Sequence, residues 1–366
     1  MIDIELLRKI DRIHPYPAKY PIDLAIEYIL KYTKAGDVVY DPFVGSGTTL
    51  LASSILKRRG FGTDINHIAI LISQFKLLSL NSEEVKNLED FITDFEALYK
   101  QEVLKIKPFY YKSIEHWFCK DSIMVLSLIK SKIEKLNNKE QLFSKTVLST
   151  IINSVSNQES DTRYAAISKP QLTVEYVANT FIKRFKTILK LFIEFNKTNR
   201  LNDKNSAILL DAKKCDSIIS ANSVDLILTS PPYVNTYDYY LYHKHRMYWL
   251  DFDVQYSMNA EIGSRREFSS LKKPESKFNN DLLEIFQKCD HVLKNNGKVV
   301  VVIGDGKVAG KMYDAKENMI ELAFKIGWEL IDYSYTKLDD TSRAFQQLYR
   351  TKGKKEHILT FGKKAN

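Results

Sequence analysis

The 366 residues of the chain suffice for one large domain carrying an insertion, or for two domains. Its 54 lysines and arginines against 45 aspartates and glutamates leave a formal charge of +9, which favours a polyanionic partner, although a solvated lysine-rich surface has the same composition. No apolar run reaches the roughly 18 residues of a membrane-spanning helix, and no basic-then-apolar leader opens the chain, so a cytoplasmic protein without a membrane partner is expected.

Taken in order, the chain first offers His14-Pro15-Tyr16-Pro17-Ala18-Lys19-Tyr20-Pro21, a proline-rich lead into a helix over Ile22 to Leu30. A strand over Asp37 to Tyr40 runs into Asp41-Pro42-Phe43-Val44-Gly45-Ser46-Gly47-Thr48-Thr49 and a helix-compatible stretch from Leu50 to Lys57. Apolar strand, acidic strand end, glycine turn and helix start together make a nucleotide-type cofactor loop. The next strand, Arg59 to Thr63, ends at Asp64. From Ser82 to Asn205 the pattern is helical, with amphipathic stretches at Ser122 to Leu136 and Val174 to Phe195; so long a connection within one sheet must be a subdomain. Within it Trp117-Phe118 and the polar loop from Ser156 to Lys169 stand out, with Arg163 and Lys169 as candidates for phosphate or base contacts.

Strand Ala207 to Leu210 ends at Asp211, and strand Val224 to Leu228 runs into Ser230-Pro231-Pro232-Tyr233. The prolines set φ and donate no N–H, so the Ser230 hydroxyl and the Ser230 and Pro231 carbonyls are free to accept from an incoming amino group. Tyr233 offers a flat face beside them. Aromatics then crowd the chain from Tyr237 to Trp249, interleaved with His243, Lys244, His245 and Arg246, and Arg265 and Arg266 follow. Strands over Lys298 to Ile303, Glu329 to Tyr333 and His357 to Phe361 complete the set, with Gly304-Asp305-Gly306 after the first and Asp339 to Lys355 as a connecting loop. Strands alternating with helices predict a mostly parallel α/β sheet. Cys119, Cys215 and Cys289 are scattered without metal-ligand spacing and no histidines pair four residues apart, so no metal is expected.

The loop at Asp41 to Thr49 and the tetrapeptide Ser230 to Tyr233 together resemble the exocyclic-amino DNA methyltransferases, which use S-adenosylmethionine to methylate cytosine N4 or adenine N6. The resemblance implies a Rossmann-like sheet of seven strands, mostly parallel, with an antiparallel C-terminal edge hairpin. The catalytic domain would be residues 1–81 and 206–366, and residues 82–205 a helical insertion between strands 2 and 3 that is a possible target-recognition region. The insertion precedes the third strand, so the segment 234–280 competes for that role. In this family the loop with Asp41, Pro42, Phe43, Gly45, Gly47 and Thr48 holds the methionine part of the cofactor. Asp64 would accept from the ribose hydroxyls and Asp211 would meet the adenine amine. Lys19 and Tyr20 match an N-terminal motif that packs over the methionine end.

Ser230, Pro231, Pro232 and Tyr233 would be catalytic, orienting the amine of a flipped base for direct transfer while Tyr233 stacks on the base. Tyr237, His243, Lys244, Arg246, Arg265, Arg266, Arg163 and Lys169 would contact nucleic acid. Serine at the first catalytic position is the family's usual choice in N4-cytosine enzymes, so cytosine N4 in duplex DNA is expected, with adenine N6 as the alternative. A restriction endonuclease or another defence protein is an expected partner. None of the cysteines follows a proline, which argues against the carbon-5 cytosine enzymes. An RNA amino-methyltransferase and a catalytically inactive nucleic-acid-binding protein are the further alternatives.

Overall fold

The computed structural model describes residues 3–199, 201–337 and 354–364. All seven runs read as strands enter one sheet: β1 Val38–Asp41, β2 Arg59–Asp64, β3 Ser206–Leu209, β4 Val224–Thr229, β5 Leu293–Gly304, β6 Trp328–Lys337 and β7 Lys355–Lys363. Their spatial order is β6-β7-β5-β4-β1-β2-β3. β5, β4, β1, β2 and β3 are parallel, with Val39 of β1 opposite Gly60 of β2 and Leu226 of β4. β7 is antiparallel to both neighbours, so the expected hairpin is present with β6 as the edge and β7 inserted between it and β5. The connecting loop expected from Asp339 onward lies, through residue 353, outside the described residues.

Leu226, Ile227 and Leu228 of β4 and Val299 to Ile303 of β5 are wholly buried. Strands covered on both faces carry unbroken apolar runs in place of alternation, which is why these two read so clearly in the sequence. The chain lays down β1, β2 and β3 in one direction and then returns to place β4 on the other side of β1. The strand order therefore reverses between β1 and β4, and in parallel sheets ligands bind beyond the carboxyl ends of the strands at such a reversal. Asp41 ends β1 there, and Ser230 follows β4.

Two compact units divide the chain. The sheet unit comprises residues 17–73, 202–240 and 255–366. A helical unit comprises residues 1–16, 74–201 and 241–254, so the insertion expected at 82–205 recruits two further segments of chain. Its main helices are Ser82–Glu102, Lys120–Ile133, Asn138–Ile151 and Val174–Thr198. The first begins with a capping box, in which Asn81 and Glu84 each accept the other's backbone N–H. On the last, Phe181, Phe185, Ile188, Phe192 and Phe195 recur at three and four residues and are all buried. Phe192 meets Phe75 at 4.6 Å and Phe185 meets Phe143 at 5.3 Å between ring centroids.

The physical reason for the wider boundary lies in residues 241–254. Trp249 is buried against Phe109 and Phe118, and the buried Arg246 donates from Nε to the Ser149 carbonyl at 2.9 Å and from Nη2 to the Asp161 carboxylate. A short antiparallel hairpin, Gln158–Ser160 with Arg163–Ala166, stands where the sequence reads as a loop. Asp161 lies in its turn, so Arg246 anchors the hairpin from inside the unit. No described helix is long and apolar enough to cross a membrane.

Candidate active site

Asp41 is 2 % exposed and its carboxylate gathers three donors: Phe43 N–H at 3.1 Å, the Thr229 hydroxyl at 2.7 Å and the Thr49 hydroxyl. Thr229 is the last residue of β4, immediately before Ser230, whereas Phe43 and Thr49 belong to the glycine loop and the helix Thr48–Ile55 that it opens. One buried side chain thus ties the candidate cofactor loop to the candidate catalytic strand across the strand-order reversal. Burial raises the Asp41 pKa to about 6 against the lowering effect of those donors. Tyr20 extends the chain of contacts, since its hydroxyl pairs with that of Thr49, whose proton goes to Asp41. Lys19 beside it is half-buried.

The loop itself needs its glycines. Gly47 precedes the helix at φ +78°, and a Cβ there would lie 2.8 Å from the Cα of Ser73. Gly45, at φ +49°, donates its N–H to Asp64 at 2.9 Å and accepts from the Ser73 hydroxyl at 3.0 Å. Pro42 and Thr48 are buried and Phe43 is half-buried. Asp64 also accepts from Asn66 N–H at 2.8 Å, so each carboxylate oxygen carries at least one backbone bond, and the half-buried group retains acceptor capacity for a hydroxyl donor. Burial brings its pKa to about 6. Beside it, the Nδ2 of Asn66 is buried without a partner among the described residues. Asp211 caps the turn Ala212–Ser217 through Lys213 N–H at 3.0 Å and stays half-buried, so the turn-forming role of a strand-end aspartate is realised here.

Two neighbours of this corner escaped the sequence reading. Tyr256 has its hydroxyl pKa raised by burial and then by the charges of Asp211 and Asp64, and it meets His67 edge-on at 5.9 Å. Glu261 is buried and accepts the backbone N–H groups of Tyr239 and Tyr240, each at 2.8 Å, which shapes the chain after the candidate catalytic motif. Burial raises its pKa to about 8, with Asp238 and Asp64 adding to the shift. The corner therefore gathers acidic side chains, Asp41 and Glu261 buried and Asp64 and Asp211 half-buried, a set of acceptors suited to a ligand with hydroxyls and poor for an anion.

A pH dependence follows. Glu261 keeps a proton in the native state that the unfolded chain releases near pH 4.5, so its contribution to stability falls as pH rises from about 4.5 and levels off above about 8. Wild-type and Glu261→Gln proteins melted across that range without ligand should show the wild type losing stability relative to the variant as pH rises, because glutamine mimics the protonated acid and has no proton to lose. A wild type that gains stability relative to the variant as pH rises would contradict this.

At the end of β4, Ser230 and Pro232 are half-buried and Pro231 is buried. Tyr233 is 4 % exposed, so its ring is covered where the sequence suggested an open stacking face. Its edge rests on Gly304, where a Cβ would lie 2.5 Å from Tyr233 Cε2, and Val234 sits as closely on Gly306. These approaches explain the Gly304-Asp305-Gly306 sequence: the Ser230 to Tyr233 motif and Val234 pack directly on that backbone. The Tyr233 hydroxyl donates to Glu356 at 2.5 Å. Asp305 accepts from Ala315 N–H, Lys355 N–H and His357 Nε2 at 3.1, 2.9 and 3.0 Å, stapling the end of β5 to the start of β7. Among the described residues, Asp305, Asp314 and His357 come within 4.8 Å of one another, but each is already engaged: Asp314 caps a helix at Glu317 N–H and His357 Nδ1 meets the Tyr333 hydroxyl.

The candidate nucleic-acid residues separate. Tyr237 is buried. Arg265 and Arg266 remain half-exposed beside the buried Asp238, which accepts Arg266 N–H at 3.0 Å. In the helical unit the expectation fails for His243 and Arg246, both wholly buried, because the segment that carries them is core rather than a solvent-facing loop. His243 stacks on Tyr16 at 5.2 Å. Lys169 is also structural, donating to the carbonyls of Ser156 and Gln158 at 2.7 and 2.6 Å. Lys244 lies over the rings of Tyr164 and Tyr248, and Arg163 is exposed and paired with Glu159 at 2.7 Å. Arg246→Ala should cost the helical unit about 2–3 kcal/mol, below the figure for a fully buried ion pair because Asp161 is partly solvated. Thermal melting should show that loss, and an unchanged melting temperature would contradict it.

A family model described as DNA methylase matches residues 5–75 and 224–366, leaving out most of the helical unit. The type II methyltransferase M.MjaII of Methanocaldococcus jannaschii is 24% identical over 406 aligned positions, covering 86% of this chain and 76% of that protein. M.MvaI of Kocuria varians, also a type II methyltransferase, is 26% identical over 262 positions, covering 66% of this chain and 58% of that protein. Among solved structures, a TehB-like SAM-dependent methyltransferase from Corynebacterium glutamicum aligns with 93% of this chain and 87% of its own at a TM-score of 0.33 and 11% identity.

Proposed function

Because the chain belongs to the N6/N4 DNA methylase family, we propose that it methylates the exocyclic N4 of cytosine in duplex DNA as a type II modification enzyme. S-adenosylmethionine is the cofactor, and when bound it supplies an electrophilic methyl group on a positively charged sulfur. The residues at hand fit it: acidic side chains at this corner suit a positively charged ligand, and the half-buried Asp64 keeps acceptor capacity for a ribose hydroxyl. Asp64 would hold the ribose, Asp211 the adenine amine, and the loop Pro42 to Thr48 with Phe43 the methionine end.

The observation that carries the reading is the Asp41 bridge, which links the Phe43 to Thr49 loop to Thr229 and so sets Ser230 against the cofactor loop. A base amine is a weak nucleophile because its lone pair is delocalised into the ring. Ser230 Oγ accepts one amino hydrogen and the Pro231 carbonyl the other, which turns the nitrogen toward the methyl group; positioning supplies most of the acceleration. Pro232 has no N–H to compete for those acceptors. Tyr233 borders the base. Arg265 and Arg266 hold phosphates near this edge, and the helical unit, with Arg163 and Lys244 at its hairpin, takes part in target recognition. A cognate endonuclease is the partner such a modification implies.

Serine at position 230 favours cytosine; adenine N6 is the second reading, since both amines present two hydrogens to the same acceptors. Digesting DNA methylated by the protein to nucleosides and weighing the product decides between them. N4-methylcytosine is expected, and N6-methyladenine alone would overturn the choice of base.

A further inference from the structure

We propose that Glu356, at the start of β7, is a positioning residue of the methyl transfer that sets the Ser230 hydroxyl through Tyr233. The inference rests on the reading of Ser230 as the acceptor of an amino hydrogen. In the β5–β7 pairing Glu356 stands opposite Gly304. Gly304 has no side chain, and the space this leaves is filled by the edge of the Tyr233 ring. The glutamate can therefore reach across the backbone of its strand partner to the tyrosine hydroxyl, which donates to Glu356 Oε1 at 2.5 Å. On its other side the Tyr233 hydroxyl has the Ser230 side chain, three residues back in the same motif, within interacting reach.

The direction of this relay follows from donor counting. A tyrosine hydroxyl has one proton, and an ionised carboxylate only accepts, so that proton points to Glu356. The Tyr233 oxygen then presents lone pairs to Ser230, and the Ser230 proton turns toward Tyr233. The Ser230 lone pairs are left for the substrate amine, and bonds in such a chain polarise one another in a buried setting. With the tyrosine proton elsewhere, Ser230 would compete as a donor and meet the amino hydrogen with its own.

Glu356 is held in place by its neighbours. Lys355 N–H donates to Asp305 at 2.9 Å, Asp305 N–H donates to the Lys355 carbonyl at 3.0 Å, and His357 Nε2 meets Asp305 at 3.0 Å. The residues on both sides are thus pinned to the end of β5, which leaves the intervening side chain aimed at the catalytic motif. A purely structural carboxylate would stabilise the hairpin without setting a hydroxyl rotor.

The test is a double-mutant cycle on turnover, with cofactor affinity measured separately by calorimetry. Glu356→Ala and Tyr233→Phe should each lower kcat about 10- to 100-fold, with KM for DNA and the affinity for S-adenosylmethionine near wild type. The double variant should be no slower than Y233F alone, and Glu356→Gln, which keeps an acceptor oxygen, should recover most of the loss. Wild-type turnover in E356A, losses that multiply in the double variant, or a loss carried by cofactor affinity would each overturn the proposal. If E356A does not fold, Y233F removes only the hydroxyl, and its having wild-type turnover is equally fatal. A wild-type protein that methylates no DNA would instead overturn the function on which the proposal rests.

Discussion

Asp41→Ala is expected to destabilise the sheet unit by about 2–4 kcal/mol, and to abolish measurable binding of S-adenosylmethionine. The substitution removes the acceptor of Phe43 N–H and of the Thr49 and Thr229 hydroxyls at a buried position. Each buried donor left unpaired costs about 1–3 kcal/mol, but the two hydroxyls can turn to other acceptors and the protein is relieved of a carboxyl that burial penalises, so the sum falls short of three full penalties. Asp41→Asn keeps one acceptor oxygen and should fall between alanine and wild type. The loss of cofactor binding has a different origin: without the tether, the loop from Phe43 to Thr49 is no longer registered against the end of β4. Thermal melting and calorimetric titration separate the two effects. Normal cofactor affinity in a destabilised D41A protein would show that the loop holds its shape without the bridge.

Ser230→Ala should lower kcat by about 10²–10³ while leaving stability and cofactor affinity near wild type. That range is typical for removing one pre-aimed hydrogen-bonding group from a transition state. Ser230 is half-buried and makes no contact on which the sheet depends, whereas the Asp41 bridge reaches only its neighbour Thr229. The two substitutions therefore fail in opposite ways, one through binding and structure and the other through turnover. Single-turnover methylation with saturating cofactor gives the chemical step directly. A Ser230→Ala protein with wild-type turnover would remove Ser230 from the mechanism and transfer its role to the Pro231 carbonyl.

The basic and aromatic segment after Tyr233 misleads because residues 241–254 enter the interior of the helical unit. His243, Lys244, His245 and Arg246 look in sequence like a nucleic-acid-binding surface. In the folded chain His243, His245 and Arg246 are buried, and Arg246 spends its charge on Asp161 and on the Ser149 carbonyl. A guanidinium with these partners and one facing phosphate are written with the same letter. Arg265 and Arg266, only about twenty residues further on, do remain half-exposed.

The sequence by itself determined the strands, their order in the chain and the polar residue that closes each of the first four. Those are local properties: apolar runs buried on both faces are continuous, glycines mark the turn that needs positive φ, and prolines mark the stretch that cannot join a ladder. Only the tertiary structure decided which strand ends meet. The return of the chain to the far side of β1 brings Thr229 to Asp41 across 188 positions, and the antiparallel insertion of β7 brings Glu356 to Tyr233 across 123. Burial, which turned Arg246 into an anchor and raised the pKa values of Asp41, Asp64 and Glu261, is likewise set by what packs on a residue from elsewhere in the chain. No period or spacing along the chain carries that information.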